Sequence, residues 1–233
     1  MDATGAVKGL LIEEARTNLV TYSNNIGLGW STSPSAAKLL DVATAPDGLL
    51  LADKVTALAT YTYHFIYRTD GPSAASGTYT VSAYMKQGEY RYGYLGLNNT
   101  PGASNGHNIV VDLQDGVITS TKTYGAVPFG ATVEPVGNGW FRVSATATFS
   151  TTGKVSAQAG PSLEATPASY LYGGPRFLGD GTSGVYIWGA QLEAGSFPSS
   201  YIPTSGSTAT RATDFAQIPT SAFGYNNDKG SLV

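Results

Sequence analysis

The stretch that most constrains the fold is GDGTSGVYIWGAQLEAG, residues 179–195. Gly179-Asp180-Gly181 and Gly184 mark a turn, and from Val185 to Leu192 apolar, aromatic and β-branched residues run on until Gly195 and Pro198 stop them. A half-exposed strand alternates apolar with polar residues. This one is apolar on both faces, so it belongs in the middle of a packed sheet, with the rest of the chain folded around it. Gly179, Gly181 and Gly184 also satisfy G-x-G-x-x-G. The dinucleotide motif, however, needs a helix next, to bring a helix N-terminus to the pyrophosphate. A strand follows here, and the glycines read as turn residues.

Strand patterns recur on either side. Ala37–Val42 and Leu49–Ala57 flank the turn Ala45-Pro46-Asp47-Gly48. In YTYHFIYR, period two puts Tyr61, Tyr63, Phe65 and Tyr67 on one face. That face reads as the packed one, because Thr62 and Arg68 make the other the wetter. Tyr79, Val81, Ala83 and Met85 form a core face, with Tyr84 and Lys86 outward. Tyr90, Tyr92 and Tyr94 oppose Leu95 and Leu97. Loops are expected at Asp70–Gly77 and Asn99–Gly106, and Gln114-Asp115-Gly116 closes a hairpin.

A second hairpin turns at Gly137-Asn138-Gly139, after which Phe141, Val143, Ala145, Ala147 and Phe149 face inward while Trp140 and Arg142 face outward. Further strands are expected near Lys154–Gly160 and Ser169–Tyr172, about eleven or twelve in all by this spacing. The opening segment GLLIEEARTNL, residues 9–19, fits either one helical turn or an edge strand. No convincing helix longer than two turns appears. The fold class predicted is all-β, an antiparallel two-sheet β-sandwich of the jelly-roll kind.

Composition narrows the function. Charged residues are 12% of the chain against about 25% in an average domain. The net charge of -3, without a Lys/Arg cluster, lacks the electrostatic footprint of a nucleic-acid binder and gives no attraction to an anionic membrane surface. No apolar run is long enough to insert in a bilayer as a helix. The absence of cysteine excludes disulfides, zinc-thiolate sites and a thiol nucleophile.

Catalysis finds little support. Asp112, Asp115, Glu134, Glu164, Asp180 and Glu193 are available as a glycosidase pair, and His64 or His107 could join a tyrosine in polysaccharide lysis, but nothing in their spacing selects any of them. Neither a G-x-S-x-G elbow nor metal-ligand histidine spacing occurs. The chain reads as a non-enzyme.

Three segments together resemble a domain that recurs in tail and fibre proteins of tailed bacteriophages: residues 9–19, VGNGWFRVSATAT at 136–148, and the long run from Gly179 to Asp214. That domain is similar to jelly-roll carbohydrate-binding modules, whose opening carries an Asn-Leu segment, a glycine turn and a tryptophan, matched here by Asn18, Leu19, Gly29 and Trp30. The resemblance implies a virion-borne module, acting outside the cell, that contacts bacterial surface glycan and other virion subunits or domains of the same chain. It implies no organic cofactor. It suggests a structural calcium near the opening loop and the final strand, where Glu13, Glu14 and Glu193 lie. Fibres in this setting are often trimers, so a homo-oligomer is a further expectation, although no heptad coil is present.

On this reading residues 1–200 form the jelly-roll domain, and residues 201–233, rich in Ser, Thr and Pro, form a linker whose end, Tyr225–Val233, begins another strand. The chain is then a fragment of a larger protein. Sugar rings stack their C–H faces on aromatic side chains and bond their hydroxyls to polar neighbours. The expected binding residues are therefore the outward Tyr84, Tyr90, Tyr92 and Tyr94, with Trp140 and Arg142. Trp30 and Trp188 are assigned to the core. The alternative is a structural or assembly module with no glycan of its own.

Overall fold

The computed structural model describes residues 11–69, 76–100, 105–150 and 153–217. The start of the opening segment, residues 70–75 and 101–104 of the loops expected at 70–77 and 99–106, and the strand expected at 225–233 lie outside these residues; residues 99–100 and 105–106 belong to strands.

All regular structure among the described residues is β. In chain order come β1 (Arg16–Asn18), β2 (Ser31–Thr32), β3 (Ala36–Thr44), β4 (Leu50–Ala57), β5 (Tyr61–Tyr63) and β6 (Ile66–Arg68). There follow β7 (Gly77–Gln87), β8 (Tyr92–Thr100), β9 (Asn105–Asp112), β10 (Val117–Tyr124), β11 (Val127–Gly137) and β12 (Trp140–Phe149). Last are β13 (Lys154–Ser162), β14 (Tyr170–Leu171), β15 (Gly174–Leu178), β16 (Gly184–Ala194) and β17 (Ala209–Arg211). The excess over the expected number consists of β15, five residues long, and strands of two or three residues, too short to show a period.

Two six-stranded antiparallel sheets pack face to face. One has the order β10-β9-β8-β13-β6-β2, the other β11-β12-β7-β16-β4-β3. As expected, β16 is internal, hydrogen-bonded to β7 on one side and β4 on the other. The core between the sheets takes Val81, Ala83 and Met85 from β7 and Val143, Ala145 and Phe149 from β12. The facing sheet supplies Leu95, Leu97, Ile109, Val111 and Ala157. Apolar side chains at every second position of neighbouring strands meet in one layer, and their removal from water drives the sheets together.

A bulge interrupts β16. Its ladder to β7 breaks between Trp188 and Gln191, and Gly189 there has φ 60. A Cβ at Gly189 would come within 2.8 Å of the Tyr84 ring, in a conformation that glycine adopts freely. The bulge frees backbone groups of β16 for the opening segment: Ala190 N–H donates to Ser23 O, and Leu192 N–H donates to Asn18 Oδ1.

The ends of the described chain come together. The opening segment forms β1, a strand and not a helical turn, paired antiparallel with β17, and Asp214 N–H donates to Glu13 O. Residues expected to be linker are therefore docked as far as Asp214. Hydroxyls tie this stretch to the opening segment: Thr204 Oγ1 donates to Val20 O, Thr204 N–H donates to Ser23 Oγ, and the Ser23 and Tyr201 hydroxyls pair at 2.6 Å. Composition marks this stretch as polar, but it cannot reveal that a partner strand waits near the other end of the chain.

The turn before β16 is held by Asp180, whose carboxylate accepts the backbone N–H groups of Thr182 and Ser183 and the Ser183 hydroxyl. Those bonds, the Ser183 hydroxyl first, hold its pKa down to about 2 against an ordinary 3.8. The depressed value means that this contribution to stability is complete above about pH 4 and lost as pH falls through about 2. In acid melting curves, Asp180→Asn is expected to be less sensitive than the parent over that window; equal pH dependence would remove the assignment.

Candidate functional site

The face alternation of the aromatic strands is as expected, but what covers each face differs. Tyr92 and Tyr94 do point away from the main core. Yet Tyr94 is completely buried, because a third, three-stranded sheet, β14-β15-β5, lies over this side of the molecule. Its ring sits 6.1 Å from Phe65, and its hydroxyl donates at 2.6 Å to Gln158 Oε1, with Asn108 Oδ1 at 3.1 Å. Burial pushes its pKa well above the ordinary tyrosine value.

Tyr90 precedes the strand and packs into the main core, edge-on to Phe177 at 5.5 Å. Only Tyr92 remains partly exposed, beside the Arg91 guanidinium. The expected three-tyrosine stacking ladder is therefore not presented to solvent.

Tyr84, Trp140 and Arg142 also lie outward of their sheet, as expected, but under a second, smaller core. Trp140 is 2% exposed and its Nε1 donates to Thr44 O at the end of β3. Trp188 and Tyr201 close over Tyr84 at ring distances of 5.2 and 5.9 Å. Arg142 stacks on Tyr84 and donates to Ser199 O. Trp30 is core as expected, and Trp188 belongs to this satellite cluster. These side chains serve packing, because residues 197–204 and the β3–β4 hairpin cover them.

The open aromatic surface lies elsewhere. A cleft of about 450 Å³ opens on the outer face of the β8–β13–β6 sheet, lined by Tyr63, Phe65, Tyr67 and Tyr172 together with Asn98, Ser156 and Gln158. A volume of this order suits a small ligand, and apolar walls with a few fixed polar groups are what such sites present. The first three aromatics come from YTYHFIYR, where the expected sidedness is reversed. His64 and Ile66 point inward, 1% and 0% exposed, and the Tyr/Phe row faces the cleft. A histidine tolerates this burial because a ring N–H finds a carbonyl acceptor there: Ser35 O lies 2.5 Å from Nδ1 and Phe177 O lies 3.1 Å from Nε2.

The rings form a continuous wall. Tyr63 stacks on Phe65 at 5.0 Å, Tyr67 meets Phe65 edge-on at 6.1 Å, and Tyr172 meets Tyr63 edge-on at 5.4 Å. The floor is a closed hydrogen-bond ring: Asn98 Nδ2 donates to Asn108 Oδ1, Asn108 Nδ2 to the Tyr124 hydroxyl, and that hydroxyl to Asn98 Oδ1. Gln158 is fixed at both ends, accepting from Tyr94 and donating to Tyr172 O at 3.3 Å. One N–H of each amide, Asn98 and Gln158, is spoken for; Asn98 is fully buried, whereas Gln158 keeps 6% of its surface exposed. No family model and no curated protein matches this chain.

Among the described residues, no Asp, Glu, Lys, Arg or His lines the cleft. Sequence reasoning passed over Asn98, Ser156, Gln158 and Tyr172, although a signal was there. Asn98 and Gln158 alternate with Leu97, Ala157 and Ala159, amides at positions facing away from an apolar core.

A second hollow of about 580 Å³ is lined by Glu13, Glu14, Glu134, Arg142, Phe197 and Arg211 among others. It is larger, but its charges serve each other. Glu13 bridges Arg211 at 2.7 Å and accepts Ser200 N–H, and Glu14 bridges Arg16 at 2.5 Å. Glu193, buried, accepts the N–H and hydroxyl of Ser199. The three carboxylates nearest an expected calcium thus each have protein donors of their own, and they do not converge on a common centre among the described residues.

Proposed function

We propose that the domain is a non-catalytic carbohydrate-binding module of a bacteriophage tail or fibre protein, and that it holds bacterial surface glycan in the cleft of Tyr63, Phe65, Tyr67 and Tyr172. The observation that carries this reading is the pairing of an aromatic wall with an immobilised amide floor in one open cleft. Ring faces suit sugar C–H groups, and amides suit hydroxyls. Because the described lining carries no charged side chain, the glycan it suits is neutral. The three phage-like segments support a place on the virion, acting outside the bacterial cell.

The test is a bacterial glycan array probed with the purified chain and with Tyr67→Ala. Saturable binding to neutral glycans is expected, weakened about tenfold or more in the variant, since a stacked aromatic is worth about 0.5–1.5 kcal/mol beyond its buried area. Binding that survives unchanged in a folded Tyr67→Ala would move the site out of this cleft.

One observation favours the second reading, an assembly module within the virion. Leu39, Leu40 and Val42, where β3 departs from its ladder, and Leu49 and Leu50 at the hairpin tip are 45–61% exposed. An apolar edge of this kind suits contact with another protein surface. A chain that self-associates through this edge and binds no glycan would support that reading.

A further inference from the structure

The geometry points to the tip of the β14–β15 hairpin as a recognition element, with Tyr172 a ligand-contacting residue that closes one end of the cleft; the inference rests on the glycan reading of that cleft. The hairpin has a two-residue turn, Tyr172-Gly173, and both residues are left-handed, with φ 50 and 93. Turns of this hand match the twist of a hairpin and take Asn, Asp or Gly at their first position, because a larger side chain with positive φ crowds its own backbone. Tyrosine is an expensive choice there.

Packing does not account for that choice. Tyr172 is 53% exposed and belongs to neither hydrophobic cluster. Its ring contact is with Tyr63, itself a wall of the cleft. A residue held in an unfavourable conformation, half in solvent and beside a cavity, is better explained by what it presents than by what it supports.

The tip is also tied to the floor. Gln158 Nε2 donates to Tyr172 O, and Gly173 lies so close to the amides that a Cβ there would stand 3.0 Å from both Asn98 and Gln158. The ring is therefore carried on a turn seated directly over the polar groups that would bond a sugar's hydroxyls. Stacking and hydrogen bonding are set in register by the same few atoms. A neutral pyranose would set one C–H face toward Tyr172 and its hydroxyls toward Gln158, the less deeply buried of the two amides.

The test compares the full chain with Tyr172→Asn, Tyr172→Phe and Tyr67→Ala, reading both melting temperature and binding to an array of neutral and uronate-containing bacterial oligosaccharides. Asparagine accepts the left-handed conformation without the ring. Tyr172→Asn is expected to melt about 2–4 °C higher than the parent, while losing tenfold or more in apparent affinity. Tyr172→Phe, which keeps the ring, is expected to bind within about threefold of the parent.

Tyr172→Asn that binds as the parent does, while Tyr67→Ala is impaired, overturns the role of Tyr172 and leaves the cleft standing. A Tyr172→Asn that melts well below the parent also overturns it, because the ring would then be structural. No saturable binding by the parent, or full binding by both Tyr67→Ala and Tyr172→Asn, overturns the cleft reading and this inference with it.

Discussion

Asn18→Ala is expected to destabilise the chain by about 3–5 kcal/mol, lowering the melting temperature by about 6–20 °C. The Asn18 side chain is fully buried and all four of its hydrogen-bonding positions are used on backbone. Its Nδ2 donates to Ala190 O at 3.2 Å and Ile202 O at 2.8 Å; its Oδ1 accepts from Val20 N at 3.0 Å and Leu192 N at 3.2 Å. One amide thus joins the opening segment, the bulge of β16 and the stretch after Pro198.

Truncation strands four backbone groups where water has no ready access, and each such group costs about 1–3 kcal/mol, less than additively because the segments can relax. Asn18→Asp should be comparably harmful despite its shape, because it turns an acceptor toward two carbonyls. A loss below about 1 kcal/mol in Asn18→Ala would mean that the three segments hold together without it.

Tyr94→Ala is the second large effect, expected to cost about 3–5 kcal/mol for the cavity left by a buried ring. Tyr94→Phe keeps the volume and deletes the hydroxyl, leaving Gln158 Oε1 without its 2.6 Å donor, for about 1–3 kcal/mol. Denaturant titration separates the two: midpoints should fall in the order parent, Phe, Ala, with an unchanged slope. A glycan-binding assay on Tyr94→Ala would be read through a damaged fold, which makes Tyr67 the informative position. A Tyr94→Ala chain as stable as the parent would show that the third sheet does not seal this face.

These cases show what a single sequence carries and where it stops. Alternation told which side of each strand a residue occupies. Val81, Ala83 and Met85 meet Val143 and Ala145 as read, and Tyr94 and Trp140 do turn away from that core. Period two is a property of the strand itself. Whether an outward face meets water depends on distant segments, here residues 170–178 over Tyr94 and residue 201 with the β3–β4 hairpin over Trp140.

The same limit explains the reversal at YTYHFIYR. Thr62 and Arg68 read as marks of solvent, yet His64 between them is buried with a carbonyl acceptor inside, and no local pattern announces it. Strands were legible at Tyr61–Tyr63 and Tyr170–Leu171, but β15, which joins them into a sheet, does not stand out alone. The sandwich was therefore legible in the sequence, whereas the cleft was not, because it is built from covers.

The pairing of β1 with β17 also fixes how the molecule meets mechanical force. Arg16 lies opposite Arg211, and Glu13 opposite Asp214, so residues 13 and 214 lie side by side at the same end of this strand pair. Tension applied at residues 13 and 214 would part the Glu13–Asp214 hydrogen bonds first and then peel the pair one bond at a time, like a zipper, without shearing the large sheets. The sandwich with its cleft would hang beside the line of pull, and under load that short pair gives way before the lobe that carries the cleft is strained.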